Sequence, residues 1–136
     1  MAAAQSERLS ARRTVCGVPV RLQPLSPEEF TDVRERLRAG GADRADLKAA
    51  TKHLLALLGQ RAPGRSVEVR VPPFAAVQCV SGARHTRGTP PAVVEMDAQT
   101  WIALATGELT WEEATYAGRV SASGERSDLS PWLPLA

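Results

Sequence analysis

The stretch Met96–Leu133, MDAQTWIALATGELTWEEATYAGRVSASGERSDLSPWL, constrains this chain more than any other, because it writes two helix starts, two helix stops and a strand in unbroken order. Asp97 stands at an N-cap position, with Met96 before it and Trp101 after it at the spacing of a hydrophobic staple. Thr110 opens a capping box with Glu113, and Leu109 and Ala114 occupy the staple positions around it. Gly107 and Gly118 fall where a helix C-terminus takes a left-handed residue. The strand Arg119–Ser123 follows at once, with Val120 and Ala122 alternating with polar neighbours and Gly124 turning it.

Upstream, Ser66–Val71 alternates Val67, Val69 and Val71 with Glu68 and Arg70, the pattern of a strand with one buried face. Pro72-Pro73 breaks it, Phe74–Val80 reads as a more central strand, and Ser81-Gly82 turns that one. Ala83–Pro91 is a loop, and Ala92–Met96 is a short strand aimed at the Asp97 cap. Ser26-Pro27-Glu28-Glu29 starts a helix: Ser26 caps, Pro27 takes the first position, Glu29 closes the box and Leu25 can staple onto Phe30. Phe30, Val33 and Leu37 line its face and Gly40-Gly41 stops it. Asp43 starts a second helix, with Leu47, Ala50, Leu54 and Leu58 on one stripe and Gly59 at its end.

Met1–Arg13 is polar and aperiodic, and Val15–Leu25 is at most a short extended segment, since Pro19 and Pro24 forbid a long central strand. The expectation is a flexible N-terminal arm over residues 1–25 and a single α+β domain over residues 26–136. Its sheet should be mixed, mostly antiparallel, of about five strands, covered by helices.

At 136 residues the chain suffices for one core. A net charge of +2, with no basic stripe interleaved with aromatics, argues against a nucleic-acid partner. No apolar run approaches the ~18 residues of a membrane span, and Met1–Arg13 holds no signal core. No integral membrane segment and a cytoplasmic location are therefore expected. Cys16 in the arm and Cys79 in a strand read as two reduced thiols, with Cys79 buried and inert. His53 and His85 lie far apart and outside any metal-ligand spacing, and no nucleophile elbow, phosphate loop or dinucleotide fingerprint is present. His53 is expected at the surface of its helix. The chain is expected to be no enzyme, with no catalytic residue, metal or cofactor.

The order Asp97, a helix with an aromatic, the phrase Thr-Gly-Glu-Leu (106–109), a second helix, Gly-Arg-Val (118–120) and Ser-Gly-Glu (123–125) resembles the C-terminal half of the sterol-carrier-protein family. The phrases VEVRVPPFAAVQCVSG and RHTRGTPPAVVEMD are similar to its small bacterial branch, described as sterol-carrier orthologues. The resemblance covers roughly Asp43 to the end and implies a lipid-binding class of fold rather than a reaction. Similar domains also form C-terminal parts of larger enzymes, including thiol-dependent isomerases whose metal site sits on a separate helical bundle; the first 60 residues here are too short and histidine-poor for that bundle. Family members that carry lipids often end in a longer closing helix, where this chain has PWLPLA, which implies a shorter or closed tunnel.

A helical layer held slightly off a sheet leaves a cavity that a long-chain ligand fills at about 0.8 kcal/mol per methylene. Its candidate walls are Val77, Trp101, Leu104, Leu109, Trp111, Ala114, Val120 and Trp132. The competing reading makes the same residues an ordinary core. Arg84, His85 and Arg87, in a loop stiffened by Pro90-Pro91, are the candidate head-group site, since arginine pairs bidentately with carboxylates and phosphates. The alternative there is a solvated loop paired with Glu95 or Glu125. The tail, Pro131–Leu135, is too apolar for water and should lie across the mouth formed by the Asp97 and Thr110 helices, anchored by Trp132. Two functions remain: non-catalytic binding of a lipid or other hydrophobic acyl-type ligand, or a ligand-free interaction module that acts with an enzyme partner or pairs as a homodimer.

Overall fold

In the computed structural model of the chain, residues 22–40, 43–82, 92–124 and 127–136 are described. Four helices appear among them: α1 (Pro27–Arg38), α2 (Arg44–Arg61), α3 (Ala98–Thr106) and α4 (Trp111–Tyr116). The strands are β1 (Val67–Val71), β2 (Ala75–Cys79), β3 (Ala92–Glu95) and β4 (Ser121–Ser123), in the sheet order β2-β1-β3-β4. β1 runs antiparallel to β2 and parallel to β3, and β3 runs antiparallel to β4. The architecture is the expected α+β one with a mixed, mostly antiparallel sheet, of four strands among the described residues rather than about five.

The caps do what the sequence says. Ser26 and Glu29 bond reciprocally (Glu29 N–H to Ser26 Oγ 3.2 Å, Ser26 N–H to Glu29 Oε1 3.1 Å), and Thr110 and Glu113 repeat the box. Asp97 Oδ1 accepts from the Thr100 N–H at 2.7 Å. Both short helices close with the same pair of backbone bonds. Glu108 N–H reaches back to the Ala103 carbonyl and Arg119 N–H to the Ala114 carbonyl, past Gly107 and Gly118 at positive φ. That last bond explains why β4 starts two residues later than expected. Arg119 is still closing α4, and Ser121, Ala122 and Ser123 are all exposed, with Ala122 not turned into a core.

β1 and β3 bury Val67, Val69, Val71, Ala92 and Val94 toward the helices and leave Arg70 and Glu95 exposed behind. α2 is the central helix, packed on α1, α3 and β2. It runs two residues past Gly59 to Arg61, because Gly59 is where β2 comes closest: a Cβ there would sit 3.4 Å from Val77 Cγ2.

Two neighbours, one on α1 and one just before it, also correct the surface assignment of His53 on α2. It is 6% exposed, stacks on Phe30 with ring centroids 4.1 Å apart, and its Nδ1 accepts the Leu25 N–H at 2.9 Å. The single apolar stripe predicted one buried face, whereas α1 docks on a second. Ion pairing reinforces this contact, as Arg36 grips Asp46 through Nε and Nη2 at 3.0–3.1 Å.

Burial lowers the His53 pKa from 6.5, so the fold holds the neutral ring. The unfolded chain then takes up the proton first, and stability should fall as pH drops below about 6.5. Urea midpoints measured from pH 7.5 to 5.5 should decline. His53→Asn, which offers an acceptor near Nδ1 without titrating, should flatten that slope; an equally steep slope in the variant would assign it to other groups.

Candidate functional site

The expected cavity walls divide into two sets. Trp101, Leu104 and Ala114 are fully buried among core neighbours, and the Trp101 Nε1–H donates to the Thr51 carbonyl of α2 at 3.3 Å. Val77, Leu109, Trp111, Val120 and Trp132 are half-buried and pack against the edges of that core. Arg84, His85 and Arg87 lie outside the described residues, as does Cys16. Cys79 is buried and free, and burial pushes its thiol up to about 11, so it is protonated and a poor nucleophile at neutral pH. Thr51 Oγ1 is a fully buried hydroxyl with no hydrogen-bond partner among the described residues.

Open space lies at the far end of α2. A groove of about 520 Å³ runs between the segment Arg61–Pro63, the turn Val80-Ser81, and the tail at Asp128, Pro131 and Trp132. Of the expected wall residues it includes Trp132 alone.

Its floor is a tight backbone knot. Val80 N–H donates to the Ala62 carbonyl at 2.6 Å, and the Val80 carbonyl accepts from both the Ser66 N–H and its hydroxyl. Ser81 Oγ–H donates to the Pro63 carbonyl at 2.9 Å. Val80 sits at φ +65, a left-handed conformation that a β-branched side chain resists at a cost on the order of 1–3 kcal/mol. Gly64 lets the strands close: a Cβ there would stand 2.2 Å from the Val80 carbonyl. Nothing in the local sequence announces this, since a valine ending a strand predicts the opposite backbone.

The groove's far wall is the tail. Ser130–Trp132 forms a single 3₁₀ turn, in keeping with its prolines, and Asp128 Oδ1 accepts the Ser130 N–H at 2.9 Å. The buried anchor is Leu129, not Trp132: Leu129 is wholly inaccessible and Trp132 remains half-exposed along the groove. Beyond the turn the chain crosses the ends of α2 and α3. Arg61 Nη1 donates to the carbonyls of Trp132 (3.2 Å) and Pro134 (2.7 Å), while Leu135 and Ala136 N–H both donate to the Ala105 carbonyl of α3. The tail thus satisfies a helix-end acceptor that would otherwise face water.

With this layered arrangement in view, the sequence model of the family described as bacterial SCP ortholog matches residues 43–135, from the α2 N-cap to the end of the tail. This chain belongs to that family. No curated protein matches the chain. The match takes in α2, the whole sheet, both short helices and every residue lining the groove. α1, with its buried Phe30–His53 stack, lies outside it. Among the described residues no group of three or more His, Cys, Asp or Glu gathers as a metal ligand set, and no helix is long and apolar enough to cross a membrane.

The tail's two roles separate by mutation. Leu129→Ala should cost ~2–5 kcal/mol in denaturant unfolding, the range for deleting a buried leucine side chain. Truncation after Ser130, which keeps Leu129 but removes the Ala105 and Arg61 bonds, should cost less, at about 1–3 kcal/mol. Equal stability of the truncated and full chains would show the tail to be undocked.

Proposed function

We propose that this chain binds, without chemistry, a lipid or other hydrophobic acyl-type ligand in the apolar layer between α2, α3 and the sheet, with the tail as the element that closes it. The observation that carries this reading is membership of the bacterial SCP ortholog family across that entire layer, residues 43–135. Two local features support it. The tail is tethered to the ends of α2 and α3 by hydrogen bonds, one buried leucine and the half-buried Trp132, Leu133 and Leu135 rather than by a long packed helix, so lifting it costs less than opening the core. The Thr51 hydroxyl, orphaned beside the Trp101 contact, is the kind of buried polar atom that a ligand oxygen or a water would satisfy.

Val77, Trp101, Leu104, Leu109, Trp111, Ala114, Val120 and Trp132 remain the proposed apolar contacts, reached by displacing the tail. Arg84, His85 and Arg87 remain a proposed head-group loop. A second reading rests on Tyr116, which is 96% exposed on α4, the helix that also carries the half-exposed Trp111. A bare aromatic on a short surface helix suits a protein partner or a second copy of the chain.

Solvent extraction of the purified protein followed by mass spectrometry should recover a hydrophobic molecule in stoichiometric amount. Titration with a long-chain acyl ligand should change tryptophan fluorescence saturably. Ala114→Phe should abolish that response; the cost of overpacking a filled site is ~1–3 kcal/mol, so a stability measurement on the same variant reports whether the site is packed when empty. An empty extract together with no fluorescence response would leave the interaction reading in its place, and Tyr116→Ser would then be expected to abolish self-association or partner capture.

A further inference from the structure

The groove at the end of α2 carries more than an apolar wall. Arg61 and Asp128 both line it, yet they do not pair with each other: the ion pairs among the described residues are Arg36–Asp46, Arg38–Glu108 and Arg70–Glu68. Each is instead held in place by backbone. Arg61 uses Nη1 on two tail carbonyls, which leaves Nε and Nη2 without a protein partner among the described residues. Asp128 accepts the Ser130 N–H through one carboxylate oxygen and leaves the other without a partner among the described residues. The same groove is lined by Ala62, Val80, Pro131 and Trp132.

We infer that this groove is a binding site for an amphiphile with a dipolar head, its anionic part against Arg61, its cationic part against Asp128, and its hydrocarbon chain along Val80 and Trp132. A purely anionic head would meet Asp128 unfavourably, and a purely cationic one would meet Arg61; a head carrying both charges is complementary to both. The volume, about 520 Å³, falls within the range of small-molecule sites. The floor is also preorganised. The left-handed Val80 is locked by bonds to Ala62 and Ser66 and by the close approach of Gly64, so the backbone of the floor needs no reorganisation when a ligand arrives. This deepens the ligand-binding reading above and rests on it, by assigning the polar end of the ligand a place and a chemical class.

The test uses the full chain and four octyl amphiphiles below their micellar concentrations: octylphosphocholine, octyl sulfate, octyltrimethylammonium and octyl glucoside. Phosphocholine without a chain serves as the free-head-group arm. Binding is read by calorimetry, and its location by amide and indole chemical shifts. Octylphosphocholine should bind ~10-fold or more tighter than the other three, with shifts at Val80, Ser81 and the Trp132 indole, since a charge-assisted contact is worth about a factor of ten or more. Asp128→Asn keeps the acceptor for Ser130 and should turn the preference toward octyl sulfate. Arg61→Met should turn it toward octyltrimethylammonium, and because it also removes two tail bonds, the Asp128→Asn result stands as the independent check. Equal affinity for all heads, or preferences unmoved by Asp128→Asn, overturns the proposal. Phosphocholine alone binding as tightly as octylphosphocholine overturns the role of the chain. Saturable shifts confined to Trp101 and Leu104 overturn the groove site while leaving interior ligand binding intact, and no saturable binding by any amphiphile overturns both.

Discussion

Everything else in this structure depends on the burial of α2. Ala50, Thr51, Leu54, Leu55 and Leu58 are almost wholly removed from solvent, and the helix touches α1, α3 and β2 at once. A helix buried on more than one side cannot be repositioned by one neighbour alone, so its two ends become fixed points. At one end, Arg36 and Asp46 tie α1 to it; at the other, Arg61 reaches the tail. The groove exists because β2 and the tail both meet α2 at that second fixed point without filling the space between them.

Local signals read well where a single turn of chain satisfies itself. The boxes at Ser26 and Thr110, the Asp97 cap and the left-handed glycines at positions 107 and 118 are such devices, because donors, acceptors and backbone signs all lie within six residues. The sheet was legible for the same reason: the alternation in Val67–Val71 already separates a buried face from an exposed one. His53 shows where this stops. Its position off the apolar stripe says only that it does not face the sheet, and whether it meets water or Phe30 depends on where α1 docks. Gly59 is the same lesson in reverse, a residue that looks like a helix stop and serves as a point of close approach.

The groove was illegible for a different physical reason. Its lining comes from three segments centred near residues 62, 80 and 130, and its key conformation, Val80 at positive φ, contradicts the preference of the residue that adopts it. Strain of this kind is imposed by tertiary bonds, here from Ala62 and Ser66, and so leaves no trace in a local pattern. Of the tryptophans, the sequence marks all three as candidate cavity walls, but only packing separates Trp101, sealed against Thr51, from Trp132, which stays half-exposed along the groove.

The tail connects the buried core to the groove at the end of α2. Leu129 is locked into the core, whereas the seven residues after it are held by carbonyl and amide bonds to α2 and α3 and by the half-buried Trp132, Leu133 and Leu135. Such bonds exchange for water with modest net cost, while withdrawing Leu129 exposes apolar surface outright. The segment therefore has a firm root and a loosely held end. Displacing that end frees the Ala105 carbonyl and the Arg61 guanidinium together, and it moves Trp132 away from Val80. Arg61 is thus bonded to the tail through Nη1 and lines the groove at the same time, so the same side chain fixes the tail and shapes the open space beside it.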